Sequence, residues 1–149
     1  MTLDTILVAV GPDDDDRAEA LAEAVVEVAE PTGADVVIAH VFTDSEFANA
    51  TKRLDFEDDA ASPDEVARRH QTVRTMTELF DGAGISYSIR GEVGEHAEQI
   101  INIAEKVGAD RVVVGGRTRS PTGKAVFGSV AQAVMLDAPC PVTFVRGEE

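Results

Sequence analysis

The fold of this chain is decided by the stretch Arg111-Val112-Val113-Val114-Gly115-Gly116-Arg117-Thr118-Arg119-Ser120-Pro121-Thr122-Gly123-Lys124-Ala125-Val126-Phe127-Gly128-Ser129. It opens with an apolar run that predicts a buried strand, and a helical pattern begins at its last residue. Gly115 lets a ligand approach the backbone closely, and the free N–H groups at the start of the helix favour an anion. The Ser129 hydroxyl can donate to a phosphate oxygen or cap the helix. The stretch therefore predicts a loop that binds phosphate.

The charge of this region agrees with an anionic ligand. No Asp or Glu occurs from Val112 to Leu136, although 28 of the 149 residues are acidic. Arg117, Arg119 and Lys124 lie inside this window. A buried strand and a buried helix face explain part of the deficit, but the loop between them is polar and also lacks acids.

The remaining chain alternates between strand patterns and helix patterns. Thr5–Val10 and Asp35–Phe42 are apolar without alternation, which predicts parallel strands buried on both faces. Ile85–Arg90 alternates strictly and should lie near a sheet edge, and Val142–Val145 forms the fifth strand. The order βαβαβαβαβ predicts one α/β domain over residues 1–149, an open five-stranded parallel sheet with helices on both faces.

Two segments between the second and third strands carry further expectations. The polar stretch from Thr43 to Ala61 is expected to be a surface loop with at most a helical turn. Ser62-Pro63-Asp64-Glu65 is a strong helix start, with Ser62 as the N-cap residue of one helix that ends at Asp81-Gly82-Ala83-Gly84. Two of the three histidines, His70 and His96, are expected to face solvent.

The glycine spacing resembles the nucleotide motif of the universal stress protein family, which is a glycine, two residues, a glycine, nine residues, a glycine and then Ser or Thr. Gly115 fits the first place, Gly128-Ser129 fit the last pair, and Thr118 stands at the middle glycine. The ending Ala138-Pro139-Cys140-Pro141-Val142 also looks like the family's last turn and strand. The resemblance implies a Rossmann-like fold of the adenine nucleotide alpha hydrolase type, with strand order 3-2-1-4-5 and a crevice between the first and fourth strands.

The resemblance also implies where ATP would bind. The adenine would lie against the ends of the first two strands, and the ribose and phosphates would meet the motif loop. The implied residues are Ala9, Val10, Gly11, Val41, Val114, Gly115, Arg117, Thr118, Arg119, Gly128, Ser129 and Val130. Two of them depart from the family: Gly11 replaces an Asp that often touches the ligand, and Thr118 replaces a glycine. Arg117 and Arg119 are expected to compensate partly by charge.

Four consecutive aspartates, Asp13–Asp16, follow the first strand and leave two interpretations open. In the first, they cap the next helix and complement its dipole. In the second, they hold Mg²⁺ beside a nucleotide, with Asp13 as the candidate ligand, because carboxylates would otherwise repel a triphosphate. One of these aspartates could also take the place of the acid that Gly11 replaces.

The overall composition excludes several classes of partner. The net charge of −15 argues against nucleic acid and anionic lipid, and no apolar run is long enough for a membrane span. The single Cys140 excludes an internal disulfide and fits a reducing compartment, so the expected location is the cytoplasm. Arginine outnumbers lysine ten to three, and such an acidic, lysine-poor surface suits concentrated salt.

The resemblance and these exclusions imply a stress-response protein that binds ATP, with or without Mg²⁺, as a regulatory or dimerisation switch. A homodimer is expected through Val142–Val145, because an uncovered apolar edge strand invites a partner chain. Two alternatives stay open: a dimeric scaffold that binds no nucleotide, and a weak ATPase or phosphotransfer enzyme. A P-loop is rejected because T-R-S-P-T-G-K-A, from Thr118 to Ala125, lacks the first glycine and the final hydroxyl residue. His40 is expected to be a hydrogen-bonded core residue rather than an acid or base.

Overall fold

The computed structural model describes residues 3–11, 14–53, 62–116 and 128–146. The strands are β1 (Thr5–Val10), β2 (Asp35–Phe42), β3 (Tyr87–Val93), β4 (Arg111–Gly116) and β5 (Val142–Arg146). The helices are α1 (Ala18–Thr32), α2 (Asp44–Arg53), α3 (Pro63–Arg69), α4 (Gln71–Ala83), α5 (His96–Val107) and α6 (Ser129–Asp137), with a short 3₁₀ turn over Asp15–Arg17. Within this part of the chain, no helix is both long and apolar enough to cross a membrane.

The strands form one parallel sheet in the order β3-β2-β1-β4-β5, which confirms the predicted fold class and strand order. Val8 of β1 lies beside Ile38 of β2 on one side and Val113 of β4 on the other. The chain therefore leaves β1 toward β2 first and crosses to β4 later, so the strand order reverses between β1 and β4. In such sheets a crevice opens at the carboxyl ends of the two strands.

Both faces of the sheet are covered, which explains why β1 is apolar without alternation. Alternate residues of β1 belong to two separate cores. Ile6, Val8 and Val10 pack with apolar residues of α1 and α4, such as Leu21 and Met76. On the opposite face lie Leu7, Ala9 and the apolar residues of α5 and α6, among them Ile100, Ile103, Ala131 and Val134.

The predicted single helix after Ser62 is two helices that meet at His70, and this prediction was therefore wrong. Ser62 caps α3 as expected, and its hydroxyl accepts a hydrogen bond from Glu65 N at 3.2 Å. The backbone of His70 is extended (φ −68°, ψ 136°), and its ring Nδ1 accepts from Thr72 N at 3.3 Å to cap α4. Buried Val66 and Val73 stand two helical turns apart in sequence, which concealed the interruption.

Two further expectations differ from the structure. The stretch expected to be irregular contains the ten-residue helix α2, with acids in its first turn and bases in its last. β3 extends to Val93 and includes Gly91, beyond the predicted end of this strand at Arg90. A Cβ at Gly91 would lie 2.0 Å from the carbonyl oxygen of Pro63, so only glycine lets α3 pack against this strand.

Candidate functional site

The sheet brings the described members of the predicted site to one edge. Gly11 follows β1, Val41 lies near the end of β2, and Gly115 lies near the end of β4, all at the carboxyl ends of their strands. Ser129 begins α6. The C-terminus of α6 leads directly into the amino end of β5, so the N-terminus of α6 points toward the carboxyl ends of the strands. Arg117, Thr118, Arg119 and the metal candidate Asp13 lie outside the described residues.

Most of the predicted strand residues can offer a ligand only their backbone. The side chains of Ala9, Val10, Val41 and Val114 are buried in the core, whereas Gly11 and Gly115 are partly exposed. The N-cap residue of α6, Gly128, has no side chain that could accept from the first-turn N–H groups. No acidic residue lies in that first turn, so these donors can meet an anion.

An ion pair between Asp14 and Arg17 lies between the ends of β1 and β4, and sequence analysis did not single it out. Asp14 Oδ2 accepts from Gly11 N at 2.6 Å, and Asp14 Oδ1 pairs with Arg17 Nε. Both side chains are largely buried, with exposed fractions of 8% for Asp14 and 11% for Arg17. The only sequence signal was the change of sign at Arg17 directly after the run of aspartates.

Gly115 accommodates this ion pair. A Cβ at Gly115 would lie 3.0 Å from Arg17 Cδ and Nε and 3.3 Å from Asp14 Oδ1. Gly115 was predicted to let a ligand approach the backbone closely. In the structure, the side chains of Arg17 and Asp14 make this close approach.

The described aspartates follow neither of the two interpretations in full. Asp14 is the N-cap residue of the 3₁₀ turn, but its carboxylate turns back to Gly11 instead of capping the turn. The carboxylate of Asp15 accepts a hydrogen bond from the hydroxyl of buried Thr72 in α4. Among the described residues, no group of three His, Cys, Asp or Glu side chains could hold a metal ion.

A second pair of polar residues consists of His40 and His70. His40 lies on β2, next to β1, and His70 lies at the junction of α3 and α4. The His40 side chain is 2% exposed, stacks on Phe42 with ring centroids 4.1 Å apart, and has its ring centroid 4.4 Å from that of His70. His40 is a core residue as predicted, but neither of its ring nitrogens has a hydrogen-bond partner within the described residues, so the predicted hydrogen bond is not found.

The surroundings of the histidines decide their protonation. Burial, followed by the positive charge of neighbouring His70 and His96, lowers the pKa of His40 to about 3. Burial also lowers the pKa of His70, which is half-buried rather than solvated as expected. His96 is partly buried as well, and its Nε2 lies 2.7 Å from Glu46 Oε1. A neutral His40 with no described hydrogen-bond partner has no group here to activate.

Comparison with known proteins identifies relatives along the whole chain. The family model described as the universal stress protein family matches residues 2–146. A universal stress protein of Mycolicibacterium smegmatis is 38% identical over 79 residues, which are 52% of this chain and 61% of that protein. A universal stress protein of Methanocaldococcus jannaschii is 28% identical over 76 residues, 51% of this chain and 45% of that protein. The matched segments thus span less than two thirds of these relatives.

Solved structures share the fold over nearly the full length. A universal stress protein of Archaeoglobus fulgidus has a TM-score of 0.70 and 27% identity, with 95% of this chain and 98% of that chain covered. A universal stress protein in complex with cAMP has a TM-score of 0.68 and 21% identity, covering 99% of this chain and 100% of that one. A universal stress protein of Archaeoglobus fulgidus in complex with dAMP has a TM-score of 0.66 and 23% identity, with 97% of this chain and 99% of that chain covered.

Proposed function

Because this chain belongs to the universal stress protein family, we propose that it binds an adenine nucleotide, with ATP as the expected ligand, at the carboxyl edge of β1 and β4. The observation that carries the proposal is the position of Gly11 and Gly115. Gly11 directly follows β1 and Gly115 is the last residue but one of β4, and the strand order reverses between these two adjacent strands. Proteins of the same fold have been solved in complex with cAMP and dAMP and, in one from Arabidopsis thaliana, with AMP bound.

The described residues fit such a ligand by their backbone. The ends of β1 and β2, at Gly11 and Val41, would pack against the adenine, because the neighbouring side chains are committed to the core. Gly11 would contribute surface rather than hydrogen bonds, since its N–H and carbonyl already bond to Asp14. The N–H groups at Ser129 and Val130 would receive phosphate oxygens, aided by the positive end of the α6 dipole. Arg117, Thr118 and Arg119 of the motif loop would complete the phosphate side, and bound Mg²⁺ would screen a triphosphate.

We further propose that the nucleotide acts as a switch on a homodimer in the cytoplasm. β5 is the last strand of the sheet and pairs only with β4 among the described strands, so its other edge can receive a second copy. The exposed Leu136 lies on α6, the helix directly before β5 in the chain, and would add apolar surface to the dimer contact. Ligand binding between Gly116 and Gly128 would alter α6 and, through it, the dimer surface.

The first test is to purify the protein in high salt without added nucleotide, denature it and identify what is released. Titration calorimetry of stripped protein with Mg·ATP follows, with Gly128→Ala as the site variant. A Cβ at Gly128 meets no atom within 4 Å, and φ there is −60°, so alanine leaves the fold intact and any loss of affinity reports on the ligand. The matched control is Gly82→Ala in α4, where a Cβ also has open space.

We expect adenine nucleotide near one per chain and a loss of binding in Gly128→Ala but not in Gly82→Ala. No released nucleotide together with no heat at millimolar ATP would overturn the proposal. The dimeric scaffold that binds no nucleotide would then be the better description of the chain.

A further inference from the structure

We infer that Arg17 recognises the phosphate of the bound nucleotide, with Asp14 as the residue that positions its guanidinium. This inference rests on the proposed nucleotide site and adds a specificity-determining residue that lies outside the glycine motif. It follows from the placement of the Asp14–Arg17 ion pair between the ends of β1 and β4.

The guanidinium is held in place from two strands. Asp14 is anchored to the end of β1 by Gly11 N at 2.6 Å, and the same carboxylate holds Arg17 Nε. Cδ and Nε of Arg17 lie against Gly115 of β4. A Cβ added at Gly115 would lie only 3.0 Å from these two atoms. Arg17 thus touches the first residue of the motif that is proposed to carry the phosphates.

The guanidinium also keeps donors for a ligand. Only its Nε is engaged by a described residue, which leaves the N–H groups of the two terminal nitrogens. A planar guanidinium presents such donors as a fork that matches two oxygens of a phosphate. With 11% of the side chain exposed, the contact would be largely shielded from solvent and therefore from salt.

The same ion pair removes an obstacle to anion binding. An uncompensated carboxylate at Asp14 would repel a phosphate, and the chain as a whole carries a net charge of −15. Because Arg17 neutralises Asp14, a nucleotide monophosphate needs no divalent cation to occupy this place. The inference thus predicts that the site discriminates AMP from adenosine and that it does so in EDTA.

The test compares AMP with adenosine, both titrated calorimetrically in EDTA against purified full-length protein. Arg17→Gln removes the charge but takes away the ion pair of a largely buried carboxylate, which endangers the fold. The double variant Asp14→Asn/Arg17→Gln keeps the local charge balanced and is therefore the decisive one. Arg17→Lys keeps the charge without the fork, and Arg74→Gln, at an exposed position of α4, is the control for loss of one positive charge. Circular dichroism and thermal melting verify the fold of each variant.

In the wild type we expect AMP to bind more tightly than adenosine, since a charge-assisted phosphate contact is worth about tenfold to a hundredfold in affinity. The double variant should lose most of this advantage while its adenosine affinity stays unchanged, and Arg17→Lys should retain part of it. Arg74→Gln should behave as the wild type.

Equal AMP affinity in the wild type and in a folded double variant would overturn the inference about Arg17. The proposed nucleotide site would be unaffected by that result. Tighter AMP binding in the double variant would also overturn it, because the guanidinium would then occupy the space of the ligand. A wild type that binds neither AMP, adenosine nor ATP would overturn the proposed function itself, and the inference with it.

Discussion

The ring of His40, buried on β2, lies with its centroid 4.4 Å from the ring of His70, at a tilt of 58°. His70 in turn caps α4 through Thr72 N, so the two rings join the central sheet to the start of a helix. A charged His40 would be buried without a described hydrogen-bond partner and would face a second basic ring, so the folded protein favours the neutral form of His40. The stability of the protein should therefore depend on pH.

The first prediction concerns acid. His40 has a pKa of about 3 in the folded protein against an ordinary value of 6.5, so the unfolded chain binds the extra proton between these values. Stability is complete above pH 6.5 and falls as the pH decreases toward 3, by about 2 kcal/mol at pH 5. His40→Leu should flatten this part of the urea-denaturation profile, whereas the control His96→Gln should keep it. An unchanged slope in His40→Leu would show that other groups set the pH dependence.

The second prediction concerns the packing of α3 against β3. Gly91→Ala would place a Cβ 2.0 Å from the backbone of Pro63 and would strain the hydrogen bond from Gly91 N to Asp64 Oδ1, which is 2.7 Å long. Because backbone cannot move aside as a side chain can, we expect a loss of about 3 kcal/mol or more in the free energy of unfolding. Gly82→Ala, in an open helical position, should stabilise by up to about 1 kcal/mol. Similar denaturation midpoints for the two variants would contradict the close approach of α3.

The third prediction concerns the proposed dimer. Leu136 on α6 and Leu79 on α4 are the exposed large apolar residues among the described ones, at 75% and 39%. Leu136 lies on α6, the helix directly before β5 on the same face of the sheet as α5, whereas Leu79 lies on α4 on the opposite face. Leu136→Asp should weaken association at least tenfold in sedimentation experiments, and Leu79→Asp should not. If Leu136→Asp leaves the association constant unchanged, the dimer does not use the surface beside β5.

The fourth prediction concerns salt. A net charge of −15 opposes the compact state by self-repulsion, and the range of this repulsion shrinks from about 10 Å at 0.1 M salt to about 3 Å at 1 M. The melting temperature should therefore rise by several degrees between 0.1 M and 2 M KCl, and most of the rise should occur below 1 M. A flat or falling melting temperature would exclude the proposed adaptation to concentrated salt.

The elements with a local pattern could be predicted from the amino-acid residues alone. Thr5–Val10 is recognised as a strand buried on both faces because every residue from Ile6 to Val10 is apolar. Ser62 is recognised as a cap because its partner Glu65 is three positions away. Once parallel strands were predicted and the glycine spacing was matched to a family, Gly11 and Gly115 followed at one edge, since the carboxyl ends of parallel strands share it. The interruption of the helix at His70 was not predicted, because the apolar positions on both sides of it keep the helical period.

Which side chains lie between those glycines could not be predicted, because it depends on packing between distant parts of the chain. Asp14 and Arg17 belong to a run whose charges suggested a cap or a metal site, and Gly115 lies far along the chain from both. Whether a carboxylate caps a helix, binds a cation or holds an arginine depends on which groups stand beside it after folding. That arrangement comes from the sheet order. Because β4 lies next to β1, Gly115, the first glycine of the motif, contacts the Arg17 side chain.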